Sequence, residues 1–152
     1  MRGEAVAETL GHAVSPRVLL PLALLTSAIY RRRPGAARVA IATALAIAVT
    51  KASKPLVQRS RPRWFGSERR RSFPSGHSSA SAAYFLATAL TARPEHRTPA
   101  LVVALAGVAG VDATRVVARE HWISDVLAGD VVGTVAVAVA EALVGNLARM
   151  RG

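Results

Sequence analysis

Residues 74–94 read PSGHSSASAAYFLATALTARP, and this stretch decides the fold. From Ser75 to Ala92 it carries no Lys, Arg, Asp or Glu. Pro74-Ser75-Gly76-His77 has the form of a helix entry, and Arg93-Pro94 closes the segment. No apolar stretch of the chain alternates with period two, so strands are not indicated. An uncharged run of this length between a turn and a charge has the form of a membrane-crossing helix, which needs roughly 20 residues for a core of ~30 Å. Its Ser and Ala residues would allow close helix contact in lipid, where the hydrophobic effect no longer draws helices together.

Working outward, residues 36–53 form a second such segment, and residues 15–30 (SPRVLLPLALLTSAIY) an earlier, shorter one. In the latter, Arg17 could snorkel and Pro21 could kink the helix. Arg31-Arg32-Arg33-Pro34-Gly35 is a stop and turn. Further spans are expected from about Pro99 to Ala118 and from Trp122 to about Leu147. Gly129 and Gly133 in the last have small-xxx-small spacing, read as packing. Residues 1–14 are mixed, a short interfacial helix or nothing ordered. The expectation is therefore one all-α domain over residues 1–152, a polytopic membrane bundle of about five transmembrane helices with a short N-terminal segment.

The charges fit this layout. Lys and Arg number 20 against 9 acidic residues, yet hydrophobic residues make up 51%. The charges cluster at 31–38, 51–71, 93–97, 115–119 and 149–151, and the stretches between are nearly free of them, as when charge is expelled from hydrocarbon. Nucleic acid binding is disfavoured, because only 5% of residues are aromatic and the basic clusters interrupt apolar segments. The chain has no cysteine, which excludes disulfides and thiolate metal sites. No cleavable signal peptide is evident, since Glu4 and Glu8 fall in the first fourteen residues.

With five spans, the long loop 54–73, the start of the third span and the 115–121 junction fall on one membrane side, so their polar residues can meet. Lys54, Arg61 and Arg115 are suitable cations for a phosphate, with Arg offering a planar fork and Lys a point charge. The helix entry at Ser75-Gly76 offers free backbone N–H groups, and the Ser75 hydroxyl could donate as well. His121 and Asp125 stand at i and i+4, where the carboxylate could hold one ring nitrogen and leave the other as a nucleophile. A phosphohistidine would form, with His77 protonating the leaving alkoxide and then activating water. A metal-dependent hydrolase using His77, His121 and Asp125 as ligands, and a non-catalytic headgroup binder, are the alternatives.

These residues resemble the signature of the type 2 phosphatidic acid phosphatase superfamily. Lys54 through Pro62 matches its first part, Pro74-Ser75-Gly76-His77 its second, and Arg115, His121 and Asp125 its third, with Thr114 where the family usually has Ser. The resemblance covers about residues 50–130. It implies a helical core and an integral-membrane phosphatase with neither metal requirement nor cofactor. It also implies His121 as nucleophile, Asp125 as its orienter, His77 as general acid, and Lys54, Arg61, Ser75, Gly76 and Arg115 as phosphate ligands. Soluble vanadium haloperoxidases share the signature. The substrate expected is a membrane lipid phosphate: a polyprenyl phosphate or diphosphate or a prenyl-phosphosugar, with phosphatidate, phosphatidylglycerophosphate and phosphoinositides close behind.

Outside the signature, Asp112 is expected to pair with Arg115, Asp130 to lie near the interface, and Glu141 to pair, face the interior or mark the far interface. His12 and His96 are expected to face solvent. Arg69-Arg70-Arg71 reads as headgroup attraction, Trp64-Phe65 as an interfacial anchor or lipid gap, and Trp122 as either. Ala, Val and Arg richness points to a GC-rich bacterial genome and a plasma-membrane location. The positive-inside comparison, 12 Lys/Arg on the site side against 8 on the other, nears a tie once phosphate ligands are set aside. The site is expected on the extracytoplasmic side, with Arg31-Arg32-Arg33 inside. The small-residue faces could support a homodimer.

Overall fold

The computed structural model describes residues 2–33, 35–62 and 71–150. Trp64, Phe65, Arg69 and Arg70 lie outside the described residues, so the readings made for them stay expectations. Six helices form among the described residues: α1 (Arg2–Ala13), α2 (Pro16–Ile29), α3 (Ala37–Ser53), α4 (Gly76–Leu90), α5 (Pro94–Val117) and α6 (Ile123–Arg149).

α4, the stretch quoted first, sits at the centre, packed against α2, α3, α5 and α6. The core around it is built from small side chains: Ala23, Ala42, Ala46, Ala83, Ala87 and Ala140 are all fully buried. The large ones face outward, among them Leu24, Leu25 and Ile29 on α2, Val102, Val103 and Leu105 on α5, and Leu127, Val131 and Val135 on α6. A protein folded by water would put these two sets the other way round. Small residues inside and large apolar ones outside suit lipid as the solvent, where close backbone approach holds helices together.

Gly129 and Gly133 carry the closest approach. A Cβ at Gly129 would stand 2.6 Å from the Ser75 carbonyl oxygen, and one at Gly133 would stand 2.6 Å from that of Ser79. The small-xxx-small pair is thus the notch through which α6 seats on α4.

α5 and α6 are long and apolar enough to cross a membrane. α2, α3 and α4 have 14, 17 and 15 residues. At 1.5 Å per residue they reach about 21–26 Å, short of a full core, a mismatch that local thinning or tilt can absorb. The fourth span begins at Pro94 rather than about Pro99. Proline is well placed at the first helical position, where its missing N–H has no intrahelical role, so the helix starts there and carries Pro99 inside it.

The chain crosses up and down. The start of α2, the end of α3, the start of α4, the end of α5 and the start of α6 share one end of the bundle. At the other end Arg38 is buried, pairs with Glu141 at 2.6 Å and donates to the Leu90 carbonyl at 2.9 Å, so Glu141 pairs as expected. Asp112 departs from expectation. It forms no ion pair with Arg115 among the described residues, and its carboxyl group instead faces that of Asp130 across the α5–α6 contact. The reason is rotational: Arg115 turns toward α1, where it donates to the Ala7 carbonyl at 2.9 Å.

Candidate active site

Three groups of residues singled out in the sequence meet at the shared end. The first concerns Lys54, the C-cap of α3. Its ammonium donates to the carbonyls of Arg71 at 3.0 Å and Pro74 at 3.3 Å, which ties the end of the long loop to the start of α4. Arg71 holds a positive φ of 86°, an uncommon conformation for a non-glycine residue. Burial, and then the neighbouring Arg61 charge, pull the Lys54 ammonium down to about 8.

The second is the α4 N-terminus. Ser75 is its N-cap: the Oγ accepts from the Ser78 amide at 3.3 Å and from the Ser78 hydroxyl at 3.0 Å, which leaves its own O–H to donate. The Ser75 amide is already committed, donating to the Asp125 carbonyl at 2.9 Å. The amides of Gly76 and His77 occupy the first two helical positions and have no acceptor inside the helix, as at any helix start. They are the free donors that the sequence placed here. A Cβ at Gly76 would meet only ordinary contacts with Thr50 and Pro16, so packing within the chain does not demand glycine.

The third is the α5–α6 junction. α5 ends at Val117, and Arg119 reverses the chain in a left-handed conformation with φ 55°. The amides of Glu120 and His121 then both donate to the Arg115 carbonyl, at 3.1 and 3.3 Å. The backbones of the candidate nucleophile and of a candidate phosphate cation are therefore locked together. Asp125, fully buried, accepts from the Trp122 amide at 3.0 Å and so caps α6.

His121 Nδ1 lies 3.6 Å from Asp125 Oδ2, longer than a full hydrogen bond. Ser72 stands between them: its hydroxyl donates to Asp125 Oδ2 and lies 3.4 Å from His121 Nδ1. The other ring nitrogen, Nε2, faces Arg61 Nη1 at 3.3 Å. The sequence points to one nitrogen hydrogen-bonded to the carboxylate and the other free; here Nδ1 does face the carboxylate, but at 3.6 Å, and Nε2 faces the Arg61 guanidinium. Burial pushes the His121 imidazole below its ordinary range, a pull that Asp125 opposes. A neutral ring with Nε2 unprotonated is the form a nucleophile requires.

His77 completes the cluster. Arg115, His121 and Arg61 are near enough for their charges to act on it. All the site residues picked from sequence thus gather at one end of the bundle. Each imidazole borders its own cavity. His121 lines one of about 550 Å³ with Pro62, Arg119 and Trp122. His77 lines another of about 500 Å³ between the end of α1, the start of α2 and the end of α3. Among the described residues no three His, Asp or Glu are grouped as a metal site would need.

Five features were missed. Arg59 donates to Asp125 Oδ1 at 2.9 Å and to Ser124 at 2.6 Å, with its guanidinium 5.4 Å from the centre of the Trp122 ring. Trp122 itself donates to the Ser60 carbonyl at 2.9 Å, so it braces the loop as well as lining a cavity. Ser72 is buried in the heart of the site. Glu120 pairs with Arg61 at 2.6 Å. Finally, α1 covers Arg115: its Ala7 carbonyl takes the bond described above, and a Cβ at Gly11 would fall on the guanidinium. His12, on the same helix, is exposed as expected, yet it lines the cavity that His77 borders.

Comparison with known proteins bears on the family and the fold. The family model of the PAP2 superfamily matches residues 35–149. Among solved structures, the fold is similar to that of a transmembrane PAP2 type phosphatidylglycerolphosphate phosphatase from Bacillus subtilis. The TM-score is 0.77 at 24% identity, over 92% of this chain and 75% of that one. No curated protein matches the chain.

Proposed function

We propose that this chain, which belongs to the PAP2 superfamily, is a membrane lipid phosphatase working through a phosphohistidine. One observation carries the reading: two imidazoles, His121 and His77, lie close enough for their charges to act on each other, with Arg61 near both, Arg115 near His77 and Lys54 near His121, at the end of a bundle whose outer surface suits lipid.

His121 Nε2 attacks phosphorus while the bond to the lipid oxygen breaks, and His77 gives its proton to that oxygen. The phosphate dianion supplies the negative charge against which His77 can hold a proton amid Arg115 and Arg61. Water then attacks the phosphohistidine and loses its proton to His77, and phosphate and a free His121 result. Lys54, Arg61 and Arg115, the Ser75 hydroxyl and the amides beside Gly76 hold the phosphoryl oxygens as charge redistributes. Asp125 keeps Nδ1 as the protonated nitrogen. None of these steps calls for a metal.

Polyprenyl phosphates or diphosphates and prenyl-phosphosugars are the favoured substrates. Phosphatidate, phosphoinositides and phosphatidylglycerophosphate, the last named for the Bacillus protein, follow. We place the chain as a single domain in a bacterial plasma membrane, with the site on the extracytoplasmic side and a homodimer as its assembly. The test is phosphate release from a lipid panel by the purified chain, with and without EDTA, vanadate or His121→Ala. The reading requires release that survives EDTA, is blocked by vanadate and is lost in His121→Ala. Full activity of His121→Ala would end the nucleophile assignment, and loss in EDTA would favour the metal hydrolase.

A further inference from the structure

We propose that the cavity bordered by His77 is a subsite for a second phosphate, carried on the leaving-group side of the substrate and read by Arg17 and Lys51. This rests on the phosphatase reading above and names the substrate class: lipids bearing a phosphomonoester or terminal phosphate together with another phosphate.

The direction of the reaction points to this cavity. In phosphoryl transfer the attacking and leaving groups lie roughly in line across phosphorus. With His121 on one side, the leaving oxygen lies toward His77, and the rest of the leaving group must continue past it. His77 Nε2 is buried with no hydrogen-bond partner. The space His77 borders, about 500 Å³, is of a size that holds small ligands.

The lining gives the chemistry. Arg17 stands in the first turn of α2 and Lys51 in the last turn of α3, both at the site end of the bundle. Neither has an ion pair or hydrogen bond among the described residues, whereas Arg38, Arg59 and Arg61 are each held by a carboxylate. His12 adds a third basic side chain. Leu20 and Ile47 complete the wall with apolar surface, and α2 continues from there into the outward-facing Leu24 and Leu25. A polar head with an apolar continuation along α2 is the shape of a lipid entering from the side. A lipid whose only phosphate is the one removed would bring no charge to Arg17 and Lys51. A second phosphate would meet both.

Two chemistries supply it. In a prenyl diphosphate, the bond broken is the one between the terminal phosphorus and the bridging oxygen, and the remaining prenyl phosphate leaves with the proton from His77. In a phosphodiester lipid that also ends in a monoester, the departing alcohol keeps its diester. Water balances both reactions, giving inorganic phosphate.

The test uses the full chain in lipid nanodiscs and two matched pairs of substrates: prenyl diphosphate against prenyl monophosphate, and phosphatidylglycerophosphate against phosphatidate. The readout is the ratio of kcat/KM within each pair for the wild type, Arg17→Gln and Lys51→Gln. Both positions are exposed, so the fold should tolerate the changes. The wild type should favour the two-phosphate member of at least one pair by about tenfold or more, and each variant should cut that ratio by about tenfold, as expected for loss of a charge-assisted contact. A fall confined to the first pair sets the second phosphate next to the leaving oxygen. A fall confined to the second pair sets it further along the headgroup. Parallel losses within both pairs would overturn the subsite and leave only general attraction of headgroups, and so would an unchanged ratio. Release from none of the four lipids by the wild type would overturn the phosphatase reading itself, and the subsite with it.

Discussion

Arg59 donates a 2.9 Å hydrogen bond to Asp125 Oδ1, while Oδ2 of the same carboxylate is the oxygen nearer His121. The carboxylate is thus gripped from the side opposite the imidazole. Arg59→Ala should lower kcat about ten- to hundredfold, because a hydrogen bond to a charged group contributes ~1.5–3 kcal/mol and each ~1.4 kcal/mol is tenfold in rate. Arg59→Lys should fall between, since the ammonium keeps the charge without the fork. If Arg59 acts by positioning Asp125, the substitution should do little more in an Asp125→Asn background. Fully additive losses in that double-mutant cycle would show that Arg59 acts elsewhere.

Ser72 holds the other oxygen, and its hydroxyl also lies 3.4 Å from His121 Nδ1. Ser72→Ala leaves Oδ2 with the Trp122 amide and a 3.6 Å contact to the ring. The imidazole then has less to fix its tautomer. Single-turnover measurements should show slower phosphohistidine formation, by about fivefold, with KM little changed, as when one hydrogen bond worth ~1 kcal/mol is lost from an orienting group. A raised KM with normal kcat would instead place Ser72 among the phosphate ligands.

Arg59 and Ser72 mark the limit of what the sequence could reveal. The helices were legible because charge and apolar length are one-dimensional properties, and four of the five expected spans begin within about two residues of their helices. The exception, Pro94 against Pro99, came from reading proline as a stop where it serves as a start. His121, Asp125 and His77 were legible because spacing alone defines them. Arg59 and Ser72 have no such spacing: one is a basic residue in a basic loop, the other a serine beside a serine-rich helix. Their roles arise only when the loop folds back and the Ser72 amide donates to the Arg59 carbonyl at 2.9 Å. The shielding of Arg115 by α1 was hidden for the same reason, since nothing in residues 1–14 says which partner they will meet.

The Lys54 ammonium, drawn down to about 8 by burial and by Arg61, predicts an alkaline limb. The charged form is the one that helps bind phosphate. kcat/KM, which reports the ionisations of the free enzyme, should therefore hold below pH 8 and fall as pH rises through it. Lys54→Arg keeps its charge throughout the accessible range, because arginine does not deprotonate below about pH 12. That variant should lose the limb or shift it upward, whatever its activity at neutral pH. On the acid side, the depressed His121 keeps the nucleophile neutral to a pH below the ordinary histidine range. An alkaline limb unmoved in Lys54→Arg would assign it to another group.

Gly129 joins the packing of the bundle to the chemistry of its end. The methyl of Gly129→Ala would sit 2.6 Å from the Ser75 carbonyl oxygen and 2.8 Å from Ser78 Cβ, so backbone must yield rather than a flexible side chain. What yields is the first turn of α4, which carries Ser75, Gly76 and His77. The expected result is a loss of ~1–3 kcal/mol of stability, the usual scale for overpacking, with a marked loss of kcat. Gly133→Ala meets the Ser79 carbonyl at the same 2.6 Å one turn deeper, and should cost similar stability with less effect on turnover. Gly110→Ala meets nothing within 4 Å, so it should leave activity intact and gain up to ~1 kcal/mol from helix propensity. Thermal unfolding in detergent and kcat on one lipid substrate would rank the three. Equal turnover in Gly129→Ala and Gly133→Ala would mean that the α4 entry tolerates displacement, which would undercut the requirement for fixed donors at Gly76 and His77.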